Sequence, residues 1–236
     1  MLIKSILIAT LVLIYPLGLL AYYPEDLERL DQSKSCESCN LVGATLDSLK
    51  LRGAKLKDTH LDQAQVNWTD LAQADLRNIR AHQASFRMAY LGSANLSGSS
   101  LIHADFHLIQ GSESIWAGSV LSFANLSYAD LPHADLKGVQ AIEANFSGSN
   151  LAHSNCTRIN AKKALFQKAN LNEANLFEAR LQGANLDHSN LSHANLQRAN
   201  LRGASLKSIN FEGALLSGAT WSDGKVCAAG SIGQCK

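Results

Sequence analysis

The residues able to do chemistry are few. Cys36-Glu-Ser-Cys39 has the C-x-x-C spacing that serves redox exchange, half of a zinc site or a short disulfide. Cys227 and Cys235 lie near the other end of the chain, and Cys156 stands alone between them. Eight histidines and many serines are spread along the sequence, yet no G-x-S-x-G, Walker or H-E-x-x-H motif groups them. N-x-S/T sequons such as Asn95, Asn125, Asn145 and Asn190 arise from a recurring (A/S)-N-(L/F)-S phrase and carry little information. No catalytic constellation emerges, and whatever these residues do depends on the elements that hold them.

Composition sets the outer bounds. The 236 residues carry 21 Lys and Arg against 20 Asp and Glu, a formal charge of +1, so no strongly acidic or basic partner is implied. Hydrophobic residues make up 46%, enough for a core, which argues against global disorder. Five Cys are too few for a disulfide-dense mini-scaffold.

The N-terminus reads as a targeting segment. Lys4 precedes an uncharged apolar run from Ser5 to Ala21, with Pro16 and Gly18 near its end and Leu19-x-Ala21 as a cleavage site. Residues 1–21 are therefore expected to be a secretory signal peptide, with an uncleaved anchor as the alternative. Without them the charges balance at 20 of each sign.

A five-residue repeat fills the rest. Stepping by five from Leu41 to Trp221 gives 37 positions without an insertion, and 32 of them are Leu, Phe, Val or Trp. The exceptions are Ala81, Gly111, Ala141, Cys156 and Ala161. Two residues before each centre the side chain is usually small, and one before it Asn or Asp is frequent: A-(N/D)-L-x-x. On a helix such a period drifts by about 140° per repeat, and on a plain strand the Leu alternates between faces. A chain that turns a corner in every repeat removes the conflict, with the centre and the residue two before it pointing inward. Where the centre shrinks, the residue two before it grows, as in Ile79 with Ala81, Ile109 with Gly111, Val139 with Ala141 and Ile159 with Ala161. Volume is conserved by exchanging places, so these sites are core.

This pattern over about 41–221 resembles the pentapeptide-repeat family. The resemblance implies an all-β, right-handed quadrilateral parallel β-helix with four repeats, or 20 residues, per coil. Phe86, Phe106, Phe146 and Phe166 recur on that 20-residue step, with Leu126 between them. About nine coils at ~4.8 Å each give a rod roughly 43 Å long. The ends of a solenoid need covering. The expected organisation is a signal peptide over 1–21, a short helical cap over 22–38, the β-helix over 39–222 and a disulfide-bearing cap over 223–236. Pro24 to Gln32, with acids in its first turn, supplies the helix.

On such a rod the terminal cysteines of opposite ends cannot meet, leaving Cys36–Cys39 and Cys227–Cys235 as pairs. Cysteines flanking the repeat are also a recurring feature of exported proteins that this chain resembles. Zinc wants four ligands and a thioredoxin-type motif wants a βαβ unit, so redox and metal readings stand behind structural disulfides. Cys156 is expected to be an inert buried thiol.

Outward residues then align in columns 20 apart. Trp68, Met88, Leu108 and Tyr128 form one column of large apolar side chains, and Ile102, Val120, Phe123 and Ile142 cluster over the same coils. Together they are expected to form a contiguous exposed patch for a protein partner or for self-association. A second column reads Glu113, His133, His153, Glu173, His193, a flat row ill-suited to wrapping a metal; whether it binds anything stays open. Arg158, Glu178 and Arg198 make a charge ladder.

The reading is a non-enzymatic exported scaffold or interaction module in the periplasm, a thylakoid lumen or outside the cell. No cofactor, metal or nucleic acid is implied, and membrane contact is expected only through an uncleaved leader. Some proteins of the resembled family mimic duplex DNA and inhibit type II topoisomerases, the second reading. It is disfavoured here by zero mature charge, by Asn in place of Asp, and by export.

Overall fold

The computed structural model describes residues 21–236. The expected leader therefore lies, apart from Ala21, outside the described residues. Among the described residues no helix is long and apolar enough to cross a membrane.

Helix α1, Pro24–Ser33, opens with Pro in its first turn beside Glu25 and Asp26, which favour the positive end of the helix dipole. Lys34 ends it in a left-handed conformation, its N–H donating to the Leu30 carbonyl. From Ser35 every quintet repeats one conformation. A residue pairs with the next coil, the inward centre follows, and two turn residues lead to the inward small residue. Pairing is parallel and always 20 residues on, from Ser35 with Lys55 to Asn200 with Thr220. Four quintets thus close one square coil. Face one runs Ser35, Lys55, Asp75; face two Asn40, His60, Arg80; face three Thr45, Gln65, Ser85; face four Lys50, Asp70, Tyr90. The ladder starts at Ser35 because Cys36 already stands in the phase of a repeat centre, five residues before Leu41.

The corners explain the residue types. The Ala44 N–H donates to the Leu41 carbonyl at 3.1 Å, and Gly43, the last turn residue, has φ +70°. That residue is left-handed at all 37 corners from Ser38 to Gly218, as a type II turn requires. Ten of them are Gly and none is β-branched. Side chains here avoid the crowding that Val, Ile or Thr would add at positive φ.

Asn before the centre does two jobs. Its Oδ1 closes the following corner by accepting a backbone N–H, as from Ser147 to Asn145 at 3.0 Å and from Ser97 to Asn95 at 3.0 Å. Its Nδ2 donates to the residue one coil back. Asn150 donates to Asp130 at 2.8 Å, Asn170 to Asn150 at 3.1 Å and Asn190 to Asn170 at 3.3 Å. A carboxylate cannot donate onward, so a continuous ladder selects Asn over Asp.

Inside, like packs on like. Phe86 stacks on Phe106 with ring centroids 4.8 Å apart, and Phe146 on Phe166 at 4.9 Å. Trp116 meets Phe106 edge-on at 5.1 Å and donates its indole N–H to Ser114 Oγ at 2.7 Å. All four large-for-small exchanges are buried as pairs. Leu30 of α1 joins this core, with Leu27 and Tyr22 packed beside it. At the other end the tail reverses, pairing Val226 with Thr220 and Ile232 with Leu215 in antiparallel fashion.

Candidate functional site

The cysteines sit at the two ends. Cys36 and Cys39 occupy a centre and a small inward position of the first coil, both buried, with Cα atoms 5.3 Å apart and their sulfurs in contact. Cys227 and Cys235 have Cα atoms 4.9 Å apart, again with sulfurs in contact. The Asp26 carboxylate converges with Cys36 and Cys39, the one place among the described residues where three metal-ligating groups gather. Its oxygens, however, accept from the Asn40 N–H at 2.8 Å and from Arg29 at 3.0 Å. The Arg29 guanidinium also contacts Cys39 Sγ. With the two sulfurs against each other, neither offers a separate thiolate to a metal. Cys156 is buried beside Ser154, and burial pushes its thiol up to about 11, which suppresses the nucleophilic thiolate.

The Glu113–His193 column lies on the corner between faces four and one. His133 stacks on His153 with ring centroids 4.8 Å apart and planes 4° from parallel. His153 Nδ1 lies 3.3 Å from Glu173 Oε2. Parallel rings present their nitrogens side by side, so their lone pairs do not converge on one ion. On the corner between faces one and two, Arg158 Nε donates to Glu178 at 2.7 Å and Arg198 approaches it from the next coil at 3.6 Å. The hydrogen bond from Arg158 holds the Glu178 carboxyl below the usual carboxylate range.

The apolar residues take a different form from the one expected. Trp68, Met88, Leu108 and Tyr128 run down the corner between faces three and four. Ile102, Phe123 and Ile142 run down the corner between faces two and three, with Val120 beside them on face two. Between the two strips lies face three, whose row Ser85, Asp105, Asn125, Asn145 is polar and linked by hydrogen bonds. The expected contiguous patch is therefore two apolar ridges flanking a polar strip. The reason is geometric, since successive turns of one coil belong to different corners and the paired residue between them points outward.

The ridges differ in exposure along their length. Tyr128 is 60% exposed, Trp68 55%, Phe123 47% and Leu108 39%, whereas Met88, Ile102, Val120 and Ile142 are half-buried. Trp68 Nε1 contacts Met88 Sδ at 3.0 Å, and the Tyr128 ring lies where a Cβ on Gly148 would stand, 2.7 Å away. Gly at 148 thus lets the ring lie flat along the rod. His103 stacks on Phe123 at 4.9 Å, and His107 meets Tyr128 edge-on at 5.8 Å. Sequence reasoning passed over Tyr90, Ile115, Leu165 and Leu215, exposed apolar residues on the flat faces at positions otherwise mostly polar. The signal was present, as each breaks the Asn/Asp habit of its column.

A family model described as pentapeptide repeats matches in eight copies, within residues 39–78, 112–140, 144–183, 154–192 and 179–218. No curated protein matches. Among solved structures, the chain is similar to HetL, a pentapeptide repeat protein involved in heterocyst differentiation regulation from the cyanobacterium Nostoc sp. strain PCC 7120. It shares 25% identity over 87% of this chain and 99% of that one, at a TM-score of 0.35. QnrB1, a plasmid-mediated fluoroquinolone resistance protein, is 17% identical over 77% and 91%, at 0.42. A pentapeptide repeat protein from the Arabidopsis thaliana thylakoid lumen is 31% identical over 45% and 67%, at 0.24.

Proposed function

The chain belongs to the pentapeptide-repeat family, whose repeats form right-handed quadrilateral β-helices, and on that footing we propose that it is an exported, non-enzymatic interaction module. In this reading the leader over 1–21 directs export to the periplasm, a thylakoid lumen or the outside. About nine coils then form a rod, with α1 over its first coil and the reversed tail over its last. Both cysteine pairs are disulfides that hold these ends. The ridge Trp68, Met88, Leu108, Tyr128, with Phe123 on the neighbouring corner, is the surface presented to a protein partner.

One observation carries this reading. Large apolar side chains stand exposed at left-handed corner positions, where Gly is conformationally cheapest and where the rest of the rod places mostly Gly, Ser, amides or charges. Neither folding nor solubility favours Trp or Tyr there, whereas aromatic anchors are what protein interfaces use. The topoisomerase-inhibitor reading has less support, because Asn takes the place of Asp along much of these faces, leaving few of the carboxylates that DNA mimicry needs.

Two measurements test the proposal. Trp68→Ser with Tyr128→Ser should abolish a partner complex or dimer while changing stability by no more than about 0.5 kcal/mol per site. Unchanged sedimentation and pull-down would overturn the interface. Thiol counting under denaturant without reductant should find one reactive cysteine, Cys156; five would overturn the disulfides.

A further inference from the structure

Face two carries a break in its ladder. Gln140, Asn160, Arg180 and Asn200 stand on it at successive coils. In an unbroken Asn ladder each Oδ1 receives an amide N–H from the next coil, but Asn160 Oδ1 is buried with no hydrogen-bond partner among the described residues. Asn160 as a whole is only 8% exposed. Its amide cannot simply turn over. Asn160 Nδ2 donates to Gln140 Oε1 at 2.9 Å, and Gln140 donates onward to the Gly138 carbonyl at 3.1 Å. On the other side of the break, a guanidinium accepts nothing from Asn200 Nδ2. Gln182 Oε1, at the adjoining corner, is a second buried oxygen without a donor.

These groups line one groove of about 480 Å³. Its other wall is the Arg158, Glu178, Arg198 ladder, so three guanidinium groups meet one carboxylate there. Glu178 is shared by both of its neighbours, and Arg180 is exposed with no acidic partner among the described residues. Arg80, on the same face five coils earlier, is held by Asp62 instead. The groove thus combines unmatched positive charge with oxygens that need a donor. A bare anion meets the charge and leaves the oxygens unpaired, and an uncharged polyol does the reverse. An ammonium group would face net positive charge.

We propose that face two binds an acidic sugar chain, a uronide, whose carboxylate pairs with Arg180 and whose hydroxyls donate to Asn160 Oδ1 and Gln182 Oε1. Arg180 stands one coil beyond Asn160, and drawing its side chain out onto the carboxylate opens the buried oxygen. Asn200 Nδ2 is then free to donate to a sugar oxygen. Gln140 to Asn200 spans three coils, about 14 Å, roughly the length of a trisaccharide. The site lies away from the corner of Trp68 and Tyr128 and stands independently of that ridge.

Isothermal titration calorimetry of the purified chain with trigalacturonate should show binding that weakens as salt rises. Maltotriose has the hydroxyls without the carboxylates, and tricarballylate has carboxylates without the hydroxyls. Each should bind at least about tenfold more weakly. Arg180→Gln should weaken trigalacturonate by about tenfold or more without unfolding the rod, since Gln140 already fills this column. Asn160→Leu, at a position that Leu165 takes on the next face, should weaken trigalacturonate and leave tricarballylate unchanged. Tricarballylate binding as tightly as trigalacturonate would reduce the groove to a patch of charge and overturn the proposal. So would maltotriose at parity, affinity untouched by Arg180→Gln or Asn160→Leu, or no trigalacturonate binding at ~10 mM.

Discussion

Two columns of large side chains run down this rod only two residues apart in each quintet, and they have opposite fates. Phe86, Phe106, Leu126 and Phe146 are fully buried and stack in the interior. Met88, Leu108 and Tyr128, with Trp68 above them, climb the neighbouring corner at the same 20-residue step, most of them well exposed. Both columns contain large apolar side chains, and both form ladders. The backbone separates them: repeat centres point into the coil, whereas residues two further on hold φ near +57° at the corner. Periodicity therefore places a side chain in a column, and the phase within the quintet decides whether that column stabilises the fold or is left for another molecule.

Breaking the inner column should have the largest effect. Phe106→Ala removes a ring packed between Phe86 and Trp116 and should destabilise the rod by about 3–5 kcal/mol in denaturant unfolding. A loss below about 1 kcal/mol would mean that the stack contributes little. The outer column should respond to backbone chemistry instead. Leu108→Val puts a β-branched residue at φ +58° and should cost about 1–2 kcal/mol, although Val is apolar and smaller. Leu108→Gly should stay within about 0.5 kcal/mol, because the corner conformation suits glycine and little packing is lost. Equal losses for Val and Gly would show that packing, not the left-handed turn, governs the ridge.

Much of this was legible in advance because a solenoid makes tertiary neighbours a fixed arithmetic step apart. The inward pairs Ile79 with Ala81 and Ile109 with Gly111 could be assigned to the core from volume exchange alone, and they are buried. The left-handed corners are equally present in the residue types, as Gly recurs and β-branched residues are missing two places after each centre. Asn95 and Asn145 looked like solvent-facing polar residues; their role in closing corners and linking coils follows from hydrogen-bond directions that residue types do not carry. The split of the apolar surface into two ridges was likewise invisible to a list of columns. Deciding whether Leu108 and Ile102 share a surface requires knowing which side of Asp105 each turn falls on.

By itself the order of residues determined the five-residue step and the composition of the interior, because each follows from a local rule repeated without interruption; the 20-residue coil, and with it the outer columns, followed from the family resemblance together with the spacing of Phe86, Phe106, Phe146 and Phe166. Only the tertiary structure decided how the ends close and how the outer columns are spaced. The tail from Asp223 onward obeys no repeat, and its antiparallel return against Leu215 and Thr220 depends on long-range pairing that no local pattern encodes. Exposure of the ridges depends in turn on how far each side chain leans along the rod onto the coil below, as Tyr128 does over Gly148.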